Sequence, residues 1–157
     1  LIIDADGINS IAGNIDVLKE RTGDTILTPH PLEFSRMTGV PVAEIQRDRL
    51  GMASQFAMRY GATLLLKGAD TVIASPDGRM CVNSGACRGL SKGGSGDVLT
   101  GVTAALLGQM ETERAAVTAC AVHAGAGDVC AQKLGEYGMT PSDIIEELPY
   151  IFKTITE

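Results

Sequence analysis

Apolar residues fall along this chain in two rhythms. Short unbroken runs come first, over 1–3, 25–28 and 63–66, each followed at once by polar or turn-forming residues. Runs this short, apolar on both faces, predict buried strands of a parallel sheet. Between them the apolar positions recur at helical spacing. That spacing predicts a helix from Asn9 or Ser10 to Lys19 and a short one over 33–37. It also predicts a long one over 42–60, with Pro41 at its start and Gly61 at its end. The rhythm then changes. Residues 71–75 and 80–83 flank Pro76-Asp77-Gly78-Arg79, an antiparallel hairpin pattern. After a loop over 84–91 the rest is helical, over 95–109, 113–134 and, beyond Pro141, 142–148. The sum is an α/β fold with a mostly parallel sheet that ends in a hairpin.

Composition narrows the class. The chain has 157 residues, 45% hydrophobic, with 4% aromatics and no Trp. Ala, Val, Ile, Leu and Met must therefore build the core. A net charge of −6 without any basic run argues against nucleic acid as a partner. No apolar stretch approaches the roughly 20 residues of a membrane helix, so no membrane partner is expected. The four cysteines, Cys81, Cys87, Cys120 and Cys130, lack metal-site spacing. Their pattern fits a reduced, cytoplasmic protein. The chain opens directly in a strand, at Leu1 rather than Met, which suggests that an N-terminal part lies upstream.

The densest chemistry is Lys92-Gly93-Gly94-Ser95-Gly96-Asp97. Its glycines stand just before an apolar helical run, and glycine lets a backbone turn sharply and approach a ligand. A helix that starts there points unpaired N–H groups, and the positive end of its dipole, at whatever lies above. Gly94, Ser95 and Gly96 thus form a candidate anion hole suited to phosphate. Asp97 stands inside it. A carboxylate repels an anion unless it acts, and taking a proton from an attacking hydroxyl is such an act. The plain alternative is a glycine turn with Asp97 as a first-turn acid.

Gly125-Ala126-Gly127-Asp128 repeats the letters inside a helical pattern, where N–H groups are already bonded. Those glycines read as packing contacts, and His123, one turn earlier, as a packed or surface histidine. Neither G-x-x-x-x-G-K-[ST] nor G-x-G-x-x-G is present; Leu99 stands where the latter needs its third glycine.

Strand ends supply the other candidates, because parallel α/β sheets bind ligands beyond the carboxyl ends of their strands. Asp6 and Asn9 follow the first strand as possible site walls, although Asn9 is more simply a helix cap. His30 is held between Pro29 and Pro31 after the second strand. Glu33 is a first-turn acid or a holder of metal-bound water. Lys67-Gly68 closes the third strand, with a charge and a close-approach glycine.

Four segments in order resemble one family. They are Leu1-Ile2-Ile3-Asp4-Ala5-Asp6-Gly7-Ile8-Asn9, Thr28-Pro29-His30-Pro31-Leu32-Glu33, Leu66-Lys67-Gly68-Ala69-Asp70-Thr71-Val72-Ile73 and Gly93-Gly94-Ser95-Gly96-Asp97-Val98-Leu99-Thr100-Gly101. They are similar to the ADP/ATP-dependent NAD(P)H-hydrate dehydratases of the ribokinase-like superfamily. The resemblance implies a three-layer sandwich with helices on both faces of the sheet. It also implies that 1–157 is the C-terminal part of one such catalytic domain.

The implied reaction dehydrates the (6S) hydrate of NADH or NADPH, with ADP or ATP as co-substrate. Asp97 would be the base, and Gly94, Ser95 and Gly96 the phosphoryl hole. His30, Asp97 and Asp6 would contact the hydrate. Lys67, Gly68, Ala69, Asp70, Thr71 and Gly96 would bind the nucleotide, and Glu33 would help to hold Mg²⁺. A homotetramer is implied as well. Leu32 stands where many members have Gly, and Gly7 where many have Ala. Two other functions compete: a ribokinase-like kinase of vitamin-precursor alcohols, and an inactive nucleotide-binding or assembly module. His30 favours the dehydratase, since related kinases more often carry Asn there.

Overall fold

A computed structural model describes residues 1–156. They form two compact units, one over Leu1–Val82 and one from Asn83 onward.

The first unit is built on a sheet of order β1 (Ile2–Ile3), β2 (Ile26–Leu27), β3 (Thr63–Leu66), β4 (Thr71–Ala74) and β5 (Met80–Asn83). β1, β2 and β3 pair in parallel, with Ile2 opposite Ile26 and Ile26 opposite Thr63. β4 then runs antiparallel to β3, with Leu65 opposite Ile73. The sheet is thus mixed, parallel at its start and ending in the expected hairpin. Ser75 N–H donates to Arg79 C=O at 2.9 Å across the Pro-Asp-Gly turn.

β2 and β3 are wholly buried, which explains their unbroken apolar runs. Burying each of Leu64, Leu65 and Leu66 stabilises the unit by about 1.5–3 kcal/mol. The parallel arrangement also sets Asp4, Pro29 and Lys67 at one edge, where the three strands end.

Helices α1 (Asp6–Ile11), α2 (Pro31–Thr38), α3 (Val42–Arg47) and α4 (Arg49–Tyr60) pack with this sheet through Ile8, Phe34, Ile45 and Phe56. Two expectations are corrected here. The helix over 9–19 is a short α1 followed by a 3-10 stretch, Ala12–Glu20, kinked at Asn14 (φ −148°, ψ 58°). Gly13-Asn14 is a weak helical pair, because one residue lacks restraint and the other competes for backbone bonds.

The long helix over 42–60 is two helices. Asp48 leaves helical geometry (φ −140°, ψ 65°) and its Oδ1 accepts the Gly51 N–H at 2.9 Å, capping α4.

The second unit has a 3-10 turn, Arg88–Leu90, and three helices: α5 (Ser95–Leu107), α6 (Thr112–Gly138) and α7 (Pro141–Thr156). α6 breaks helical geometry at Gly135 (φ 72°, ψ 152°), one residue past the expected end. α7 runs well beyond 148, through Pro149. A proline costs a helix one hydrogen bond, but packing can carry the helix past it. Here Ile144, Leu148 and Ile151 keep an i, i+4, i+7 apolar face, and Ile151 lies against Gly125 of α6.

Candidate functional site

In the first unit the candidate residues gather at the carboxyl edge of the parallel strands. Lys67 Nζ reaches Asp4 Oδ1 at 2.9 Å, and Lys67 N–H donates to Pro29 C=O at 2.8 Å. The ends of β1, β2 and β3 are thereby tied together. Both side chains of the ion pair are mostly buried, so the pair is screened less than a surface one. Between Asp4 and Asp6, Ala5 holds φ 47° and ψ −117°, a conformation strained for any residue with a Cβ. Asp6 opens α1 and is exposed. Asn9 does not cap that helix; its Oδ1 accepts from Arg36 Nη1 at 3.0 Å, linking α1 to α2.

His30 is the N-cap of α2. Its Nδ1 accepts the Glu33 N–H at 3.1 Å, while Glu33 Oε2 accepts the His30 N–H at 2.8 Å. This is a capping box with histidine in place of the usual Ser or Thr. The arrangement fixes the tautomer, because an accepting Nδ1 leaves the ring proton on Nε2. Nε2 lies 3.4 Å from Glu33 Oε1. The ring is half exposed at the strand edge, and the Glu33 carboxylate beneath it is buried. His30 can thus present a polar ring face to a ligand on a backbone held by two prolines and a cap.

The segment Lys67 to Thr71 leaves β3 and enters β4, with Gly68, Ala69 and Asp70 exposed. A residue that sequence reasoning missed braces it. Arg49 Nη2 donates to Leu66 C=O at 2.8 Å, Asp70 C=O at 2.8 Å and Lys67 C=O at 3.4 Å. Its guanidinium stands where a Cβ on Gly68 would go, 2.7 Å from that position. Burial lowers the Arg49 pKa from its ordinary value, and the Asp70 charge opposes the shift. The only trace in the sequence is an arginine at the first position of a helix, where the dipole disfavours a cation.

In the second unit, Gly94 is the N-cap of α5, at φ 92° and ψ −21°. No side chain caps this helix. Ser95 N–H turns back to Lys92 C=O at 3.2 Å and Val98 N–H to Gly94 C=O at 3.2 Å. The N–H groups of Gly96 and Asp97 between them have no acceptor among the described residues. Asp97 is exposed in the first turn. Lys92 does not join this opening; its Nζ donates to Tyr137 C=O at 2.8 Å and Met139 C=O at 2.6 Å, anchoring the loop.

Ser95 is buried, and its Oγ lies 3.1 Å from His123 Nε2, a contact that sequence reasoning also missed. The Gly-Ala-Gly-Asp repeat sits within α6, as expected. Gly127 accommodates Leu90, and a Cβ there would fall 2.6 Å from Leu90 Cδ2.

Comparison with known proteins gives this arrangement a family. The sequence profile described as NAD(P)H-hydrate dehydratase matches residues 1–150. The bifunctional NAD(P)H-hydrate repair enzyme Nnr of Moorella thermoacetica is 42% identical over 157 residues, covering 99% of this chain and 30% of that protein. Among solved structures, the ADP/ATP-dependent NAD(P)H-hydrate dehydratase from Bacillus subtilis, co-crystallized with ATP/Mg²⁺, superposes with a TM-score of 0.83 at 34% identity. It covers 98% of this chain and 54% of its own. A ribokinase-like superfamily protein from Enterococcus faecalis follows at TM-score 0.80 and 27% identity, over 98% of this chain and 52% of that one. The chain therefore spans about a third of the bifunctional relative and about half of each solved chain.

Proposed function

The chain belongs to the NAD(P)H-hydrate dehydratase family, and from that premise we propose that the protein carrying it returns hydrated NADH or NADPH to the working cofactor, consuming ADP or ATP. The observation that carries this reading is the start of α5. An uncapped helix N-terminus, opened by Gly94 in left-handed geometry, offers free N–H groups at Gly96 and Asp97 beside an exposed carboxylate. Such an end attracts phosphoryl oxygens.

In the proposed sequence the C6 hydroxyl of the hydrate attacks the terminal phosphoryl group. Its proton passes to the Asp97 carboxylate as the new O–P bond forms. The bond to the nucleotide's bridging oxygen breaks, so ADP leaves as AMP, or ATP as ADP. The ring nitrogen lone pair then expels phosphate from C6, and loss of a C5 proton restores the double bond. The N–H groups of Gly96 and Asp97, turned outward by Gly94, hold the phosphoryl group, as a hole preset for developing charge. The expected part of Ser95 in that hole is corrected, because its N–H is bonded to Lys92 C=O and its Oγ to His123. His30 and Asp6 contact the hydrate. Lys67, Gly68, Ala69, Asp70, Thr71 and Gly96 bind the nucleotide.

Mg²⁺ fits this chain as an ion carried on the nucleotide. Among the described residues no group of three or more His, Cys, Asp or Glu is placed to hold a cation, and Glu33 already accepts the His30 N–H. Mg²⁺ commonly uses one or two carboxylates plus phosphates and waters, so Glu33 would reach it through water. When bound, the ion neutralises charge on the phosphoryl oxygens.

We also take 1–157 as part of one catalytic domain of a cytoplasmic homo-oligomer, a tetramer by family resemblance. The free thiols of Cys81, Cys87, Cys120 and Cys130 suit a reducing compartment. No helix among the described residues is long and apolar enough to cross a membrane.

The decisive variant is Asp97→Asn in the full-length protein. It should lower NADH regeneration and phosphate release together by roughly two orders of magnitude or more, the range of a lost general base. Unchanged turnover would remove Asp97 from the chemistry.

A further inference from the structure

We propose that Arg49 is a positioning residue for nucleotide recognition, setting the segment 67–71 by fastening the carbonyls of Leu66, Lys67 and Asp70 from beneath. The inference rests on the reading of that segment as the nucleotide loop and adds a residue that the four family-like motifs do not contain.

Four observations support it. First, Arg49 occupies the first helical position of α4, where the dipole is unfavourable to a cation. Half-burial adds to that penalty. A side chain kept where two local rules oppose it is held for another purpose. Second, one guanidinium spans carbonyls on both sides of the turn, Leu66 at 2.8 Å before it and Asp70 at 2.8 Å after it. A planar fork can do this from a single rigid group, and a lysine ammonium cannot reproduce it. Third, Gly68 fits this bracing. A Cβ there would lie 2.7 Å from the guanidinium nitrogens, so the glycine's missing side chain is the space that Arg49 fills. Fourth, the near end of the segment is held independently, by Lys67 N–H on Pro29 C=O and Lys67 Nζ on Asp4. With both ends and the middle fixed, Gly68, Ala69 and Asp70 remain the exposed part. Presetting a binding loop cuts the ordering cost that a ligand otherwise bears.

The test uses full-length protein and the variants Arg49→Lys, Arg49→Met and Arg49→Gln. The Gln change keeps one amide donor on a shorter side chain. KM for ADP and KM for NADH hydrate are measured separately, with calorimetric ADP affinity alongside. All three variants should weaken ADP by about tenfold, comparable to one lost charge-assisted hydrogen bond. KM for the hydrate and kcat at saturating ADP should stay within about twofold.

The proposal is overturned if Arg49→Lys leaves ADP affinity unchanged, or if both KM values rise in parallel, the mark of general loosening. Should Arg49→Lys and Arg49→Met fail to fold, Arg49→Gln decides by the same criteria. A wild-type protein that binds ADP but never regenerates NADH would defeat the proposed reaction. The ADP affinities would still decide the role of Arg49.

Discussion

Ser95 and His123 meet in the second unit as a buried hydroxyl–imidazole pair, at 3.1 Å, under the first residue of α5. Burial lowers the His123 pKa from its ordinary 6.5, and a hydrogen bond to the Ser95 backbone opposes the shift. The folded protein thus favours the neutral imidazole, while the unfolded chain takes up the proton as pH falls through 6.5. The unfolded state binds more protons below that value, so the stability is fully present above pH 6.5 and falls as pH drops through and below it. Urea midpoints measured against pH should therefore decline more steeply in wild type than in His123→Gln, with the two curves converging on the acid side. Parallel curves would show that His123 contributes no such linkage. From the helical pattern around it the histidine could be read only as packed or lying on the surface. Its bond to Ser95 could not, because the two are 28 residues apart and no local spacing joins them. Arg49 was hidden for a similar reason: its carbonyl partners lie 17 to 21 residues away.

The start of α5 shows what an element adds to its letters. Gly93 and Gly94 are adjacent, yet only Gly94 has a positive φ, and only there would a Cβ meet Pro141 Cγ, at 3.0 Å. Forcing a Cβ into left-handed geometry costs about 1–2 kcal/mol, and the clash with Pro141 adds to it. Gly94→Ala should lower the unfolding midpoint and shift the N–H groups of Gly96 and Asp97, with turnover falling alongside stability. Gly93→Ala, with nothing near its Cβ, should leave both close to wild type; equal losses in the two variants would contradict this account. Asp48→Ala tests the break between α3 and α4 and should cost about 1 kcal/mol, as lost N-caps do. Strands, hairpin and the α5 start were legible because burial and turn chemistry act within a few residues. The single helix expected over 42–60 failed because helical apolar spacing survives a one-residue break. Only the acceptor preference of Asp48 marks that break, and Asp also occurs within helices.

The chain as a whole carries a net charge of −6, while the proposed ligands, a hydrated dinucleotide and ADP, are themselves anions. Long-range electrostatics therefore oppose binding, and attraction must come from local features such as the α5 N-terminus. Ribokinase-like architecture alone would serve a kinase as well as a dehydratase, since fold does not dictate chemistry. The two readings part at the fate of the phosphoryl group. A kinase leaves it on the alcohol, whereas the dehydratase expels it as inorganic phosphate for each cofactor restored. Full-length protein given NADH hydrate and ADP should release phosphate and NADH in equal amounts, with AMP as the nucleotide product. Given hydroxymethyl-pyrimidine or thiazole alcohols and ATP, it should form no phosphorylated alcohol. Phosphorylated alcohol without phosphate release would make the protein a kinase. Nucleotide binding without either product would make it an inactive module, and the exposed carboxylate of Asp97 would then have no reaction to serve.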